Sequence, residues 1–227
     1  AQNDSTFKGA VAGAPGSSFE TIMTQVAPVA LAQIEQAEIK ANVPLEQRNS
    51  IYSYATLLAY GAMTGVGIKS YEPNFDYLQL FNPRAKPIAK MAEGTDGNDG
   101  ECLSDVRDAF KADIIKYMQE TPEQHKVMDY PGIDFKAFQS SPSMQKFSHL
   151  SQPASKPINK PILVIQGEAD TNVPAVVTRA LLENLQKISP DNTDIHAIYV
   201  PKASHPQAIV WENASLMKFI EQHMPAK

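Results

Sequence analysis

"KPILVIQGEADTNVP", residues 160 to 174, is the stretch on which the reading of this chain turns. Ile162 to Gln166 is an apolar run that stops at Gly167, the pattern of a buried strand. The turn "GEAD" then delivers a carboxylate, Asp170, just past the strand end. Beyond Pro174 the period changes, and Val177, Leu181, Leu185 and Ile188 fall on one face of a helix predicted over 176–188. A second strand, "IHAIYV", follows at 195–200. A helix over 207–223 comes next, with Ile209, Leu216 and Ile220 on one face. Strand, crossover helix and strand of these lengths imply a parallel α/β sheet.

Upstream, "FKGAVAGAP" is short, apolar and bounded by Gly and Pro, and reads as a buried strand over 7–14. Ser17 and Glu20 have the spacing of a capping box. The apolar positions Ile22, Val26, Val29 and Ile34 carry the predicted helix on to Lys40, with a kink expected at Pro28. A second helix is predicted from Pro44 through Leu45, Ile51, Leu57 and Leu58. Residues 69–157 differ in character, with scattered Pro, the turn-rich "EGTDGNDGE" and short helical pieces around 104–119, so this region reads as an insertion. No internal repeat is visible.

The 227 residues are 43% hydrophobic and 20% charged, which suits one or two globular domains. A formal net charge of −5 without a basic cluster argues against nucleic acid or an anionic membrane as the main partner. Cys102 is the sole cysteine, so no disulfide closes within the chain and the redox compartment stays open. The start, "AQNDSTFKG", lacks the charged and apolar regions of a signal peptide and is expected to belong to a processed product or a fragment. The longest uncharged stretch, Ile51 to Ile68, is interrupted by Gly and hydroxyl residues; it reads as a buried helix or pocket wall and not as a membrane span.

In an open parallel sheet, ligands gather beyond the carboxyl ends of the strands. Two side chains stand there: Asp170 after "ILVIQ", and His205 after "IHAIYV" through "PKASH". A carboxylate on one imidazole nitrogen fixes the tautomer and stabilises the imidazolium, leaving the other nitrogen to take a proton from a nucleophile. A turn Asp beside a surface His is the plainer alternative.

"PILVIQGEADTNVP", then a helix, a strand and "PKASHPQ", resembles the acid and histidine segments of α/β-hydrolases, whose triad runs nucleophile, acid, histidine along the chain. "FKGAVAGAPGSSF" is similar to the strand after the nucleophile helix in secretory lipases of the fungal lipase-A type and their bacterial relatives. The resemblance implies an α/β fold, namely the carboxyl-terminal part of an α/β-hydrolase with a mostly parallel sheet and a helical cap insertion. Residues 1–16 would give a core strand, 17–157 the cap, and 158–227 the core with its acid and histidine loops. It further implies a serine hydrolase acting on carboxylic esters, lipids among them, in an extracellular or periplasmic setting. Such chemistry needs no cofactor and no metal, with His205 as general base and then acid and Asp170 as its orienting carboxylate. By the same resemblance Cys102 could pair with a cysteine outside this chain.

The fold's nucleophile sits in a G-x-S-x-G turn, and no such pentapeptide occurs here. The serine and its oxyanion hole are therefore expected on a missing or separate amino-terminal segment, held to this chain in a tight complex. Ser17 and Ser18 also lie in a strand–turn–helix context, but neither has small residues on both flanks, and Ser17 reads better as a helix cap. Ser204 reads as a turn residue.

Tyr60, Met63, Tyr77, Leu78 and Phe81 could line an acyl pocket, and core packing accounts for the same residues. His125, His149, His196 and His223 lack metal-ligand spacing and read as surface or structural. "DGNDGE", 96–101, misses the ligand pattern of a calcium loop and reads as a solvated turn. Two rival functions remain. One is a peptidase of the prolyl-oligopeptidase type, against which the long insertion after "GAVAGAP" counts. The other is a non-catalytic module that binds a partner or an apolar ligand.

Overall fold

The computed structural model describes residues 4, 6–120 and 126–225. Along the chain run β1 (Ala10–Gly13), α1 (Phe19–Thr21), a π-turn (Ile22–Val26), α2 (Ala27–Lys40), a 3₁₀ turn (Leu45–Gln47), α3 (Asn49–Tyr71), a 3₁₀ turn (Tyr77–Leu80), α4 (Lys86–Lys90) and α5 (Leu103–Glu120). A 3₁₀ turn (Val127–Asp129), α6 (Phe135–Ser140), α7 (Pro142–Ser151), β2 (Ile162–Gly167), α8 (Ala175–Ile188), β3 (Ile195–Val200), α9 (Gln207–Trp211) and α10 (Asn213–His223) complete it. The chain divides into two compact units: Ala1–Ile22 with Ser151–Lys227, and Met23–Leu150.

The first unit is built on a three-stranded sheet in the order β1-β2-β3. Both pairings are parallel, with Gly13 opposite Ile165 and Gly167 opposite Val200. All six residues of β2 are buried, because the strand is covered on both faces. On one face Leu163 and Ile165 pack with Val200, Ala208 and Phe219. On the other, Ile162 and Val164 meet Leu182, Leu185 and Ile195. This is the α/β architecture the sequence implied, a parallel sheet with crossover helices, consistent with part of an α/β-hydrolase.

Two local expectations are corrected and one is refined. The predicted capping box does not form: Ser18, not Ser17, precedes α1, in the left-handed region at φ 51° and with no side-chain cap, while Ser17 Oγ is buried without a hydrogen bond. Pro28 sits in the first turn of α2 directly after the π-turn, so the break expected at this proline takes the form of a change of helix type within a contiguous helical run. Pro44 opens only a 3₁₀ turn, and α3 begins at Asn49, whose amide donates to Glu38 Oε1 at 2.6 Å.

Two helix boundaries also differ. The closing helix divides at Glu212, which takes φ −98° and ψ 21° and accepts the Ser215 hydroxyl at 2.7 Å, starting α10 afresh. The pieces expected around 104–119 form one helix, α5, because Val106, Phe110, Ile114 and Met118 make a continuous buried stripe.

The second unit is helical, around α3. Ile51, Tyr54, Leu57, Leu58, Ala62 and Ile68 are all buried, so this helix is covered nearly all round. Among the described residues no helix is long and apolar enough to cross a membrane. At Gly65 an added Cβ would lie 2.6 Å from the Tyr77 ring, so the close approach of that ring requires glycine. Arg84 holds Asp113 at 2.8 Å, and Asp113 also accepts the Tyr130 hydroxyl at 2.8 Å. Buried Glu35 accepts the Val127 amide at 2.9 Å.

Candidate active site

The site grows from the ends of β2 and β3. Gly167 closes β2, and an added Cβ there would lie 2.3 Å from the Ala203 carbonyl oxygen, so only glycine lets the two loops approach this closely. Two backbone bonds then fasten them: Glu168 N to Val200 O, and Ala169 N to Ala203 O, each 3.0 Å. Asp170 follows at once and is 5% exposed. Its Oδ1 accepts the amides of Asn172 and Val173, both at 2.9 Å, in an Asx turn that fixes the carboxylate plane.

On the neighbouring loop Ser204 N donates to Gln207 Oε1 at 2.9 Å, and His205 lies two residues before α9, next to its N-cap Pro206. His205 Nδ1 bonds Asp170 Oδ2 at 2.8 Å across a sequence separation of 35. The His205 side chain is one-third exposed, and among the described residues its Nε2 has no hydrogen-bond partner. The bond from Asp170 raises the His205 pKa above its ordinary value, against a smaller opposing effect of burial. Chemically, one ring nitrogen is held by a fixed carboxylate. The other is left to accept a proton from a nucleophile and to return it to a leaving group.

The structure thus brings together Asp170 and His205. The five pocket candidates lie in the helical unit. Tyr77 and Phe81 are buried there, Tyr77 with its hydroxyl 3.4 Å from Ala89 O and Phe81 stacked on Phe110, while Tyr60, Met63 and Leu78 are half-buried. Ser17 and Ser18 make no hydrogen bond to His205; Ser18 N donates instead to Gln152 Oε1 at 2.8 Å. His149 and His196 are exposed, and His223 packs against Phe219. His125 lies outside the described residues. Among the described residues no group of three His, Cys, Asp or Glu could hold a metal ion. The 96–101 turn is exposed, with Asp99 accepting from Thr95, and Cys102 is exposed and free.

Two residues beside Asp170 escaped the sequence reading: Gln166 and Thr178, both fully buried. The signal was present, in an amide within the apolar run "ILVIQ" four residues before the acid.

Compared with known proteins, residues 105–227 match the model of the prolyl oligopeptidase family. No curated protein and no solved structure matches the chain. The insertion had counted against this family, yet the match extends into it and takes in both Asp170 and His205. Because that match covers more than half of the chain, the protein belongs to the prolyl oligopeptidase family and is a serine hydrolase of the α/β-hydrolase superfamily.

Proposed function

We propose that this chain supplies the acid and the base of a serine hydrolase triad that cleaves carboxylic esters through an acyl-enzyme. The observation that carries the reading is the bond from His205 Nδ1 to Asp170 Oδ2 at the carboxyl edge of adjacent parallel strands. His205 takes the proton of a serine hydroxyl through Nε2 and later gives it to the departing alcohol; Asp170 orients the ring and balances its charge. The serine is carried by a segment outside these 227 residues. In support, among the described residues β1 pairs on one side only, and its residues are less buried than those of β2, leaving an edge for that segment to cover.

The ester reading draws on the helical unit placed in sequence between β1 and β2, with its apolar, Tyr-containing α3. Peptide cleavage is the second reading, favoured by the family match. Fluorophosphonate labelling of the native preparation, with peptide mapping, tests the triad. A label on a serine of an associated segment, abolished by His205→Ala, is expected; no label in a folded, complete preparation would sink it. Turnover of acyl esters with inert peptides selects the ester reading, and the reverse selects the peptidase.

A further inference from the structure

Gln166 is the penultimate residue of β2 and fully buried, in a strand whose other core side chains are apolar. A buried amide is costly unless each polar atom is bonded, and here each is. Thr178 Oγ1, from α8, donates to Gln166 Oε1 at 2.6 Å. On the other side Nε2 faces three oxygens: Gly167 O at 2.9 Å, Val173 O at 3.0 Å and Asp170 Oδ2 at 3.2 Å. Turned round, the amide would set its oxygen against all three, so the surroundings admit one orientation.

We infer that Gln166, locked by Thr178, is a positioning residue for the Asp170–His205 pair, holding Asp170 Oδ2 from behind while sharing that oxygen with the imidazole. Asp170 Oδ1 is bound separately by two backbone amides, so the backbone anchors one carboxylate oxygen while Gln166 acts on the other. The two amide hydrogens are shared among the three oxygens, so what Gln166 adds is a shared, weaker second donor on the oxygen that His205 uses. A donor there withdraws negative charge from Oδ2 and moderates its hold on the imidazolium. Asp170 is the charged group set against the ring; Glu168, on the same loop, is turned to Arg179 at 2.7 Å. The catalytic meaning of this inference rests on the triad reading above, whereas the effect on the ring does not.

The test is the titration of the His205 ring followed by NMR in the complete protein, for the wild type, Gln166→Leu, Thr178→Val and Thr178→Ser. Losing the Gln166 donor should move the His205 titration upward by about half a pH unit, the scale of one weak hydrogen bond to a charged group. Turnover should fall roughly three- to tenfold with little change in KM. Thr178→Val, which unlocks the amide without touching Asp170, should move the titration in the same direction, and Thr178→Ser should restore the wild-type value. An unmoved titration in folded Gln166→Leu overturns the inference, and so does a downward one, which would mean that Asp170 had released the ring. Should Gln166→Leu fail to fold, Thr178→Val decides on the same terms. Intact turnover in Asp170→Asn, with the Gln166→Leu titration still displaced, would remove the triad reading and leave the positioning role standing.

Discussion

Ala169 donates its backbone amide to the carbonyl of Ala203 at 3.0 Å, and this bond ties the loop bearing Asp170 to the loop bearing His205. The approach depends on Gly167, where a methyl group would strike the same carbonyl oxygen at 2.3 Å. Backbone cannot swing aside as a side-chain end can. Gly167→Ala should therefore destabilise the sheet unit by about 1–3 kcal/mol and separate the two loops. Thermal melts measure the first effect, and loss of the upward displacement of the His205 titration measures the second.

Asp170→Asn keeps the shape of the side chain and removes the charge that His205 meets at 2.8 Å. In the complete enzyme kcat should fall by on the order of 10³-fold or more, and His205→Ala should do at least as much. A general base works only when neutral, and Asp170 raises the His205 pKa. The acid limb of kcat/KM should accordingly lie above the ordinary histidine value of about 6.5 in the wild type and move downward in the residual activity of Asp170→Asn. Near-normal turnover in either variant would remove the pair from the mechanism.

The same shift makes stability depend on pH. A histidine whose pKa is raised on folding contributes stability that is complete below its unfolded value of about 6.5 and is lost as pH rises through the folded value. As pH rises above the ordinary histidine value of about 6.5 the wild type should lose thermal stability that His205→Gln does not lose, the other histidines being common to both. Melting curves across that range, compared as a difference between the two proteins, read the effect.

Glu35 gives a second test of the same sign, in the helical unit and from a lower starting pH. It is 3% exposed, and burial raises its carboxyl pKa against the smaller opposing effect of the Val127 amide. The folded state thus favours the neutral form, and stability falls as pH rises through the raised value. Glu35→Gln keeps an acceptor for Val127 and removes the buried charge, so it should raise Tm at neutral pH by roughly 1–3 °C, with the gain fading toward pH 4. A lowered Tm at neutral pH would mean that the charge is compensated.

The strands at 162–167 and 195–200 and the amphipathic helix between them were legible because apolar period and turn residues are local properties of the chain. So was the placement of Asp170 and His205 just beyond strand ends, since a parallel crossover sends both loops to one edge of the sheet. The start of α1 was not legible. Ser17 and Glu20 carry the spacing of a cap, but the backbone turns at Ser18 with φ 51°, a conformation set by the path from β1 and by Gln152, more than a hundred residues away. The pairing of Asp170 Oδ2 with His205 Nδ1, the burial of Tyr77 and Phe81 in the helical core, and the lock of Gln166 by Thr178 were likewise decided only in three dimensions. The physical reason is the range of the forces involved. Periodicity fixes which face of an element is apolar, whereas hydrogen bonds between side chains depend on tenths of an ångström that only the packed elements determine.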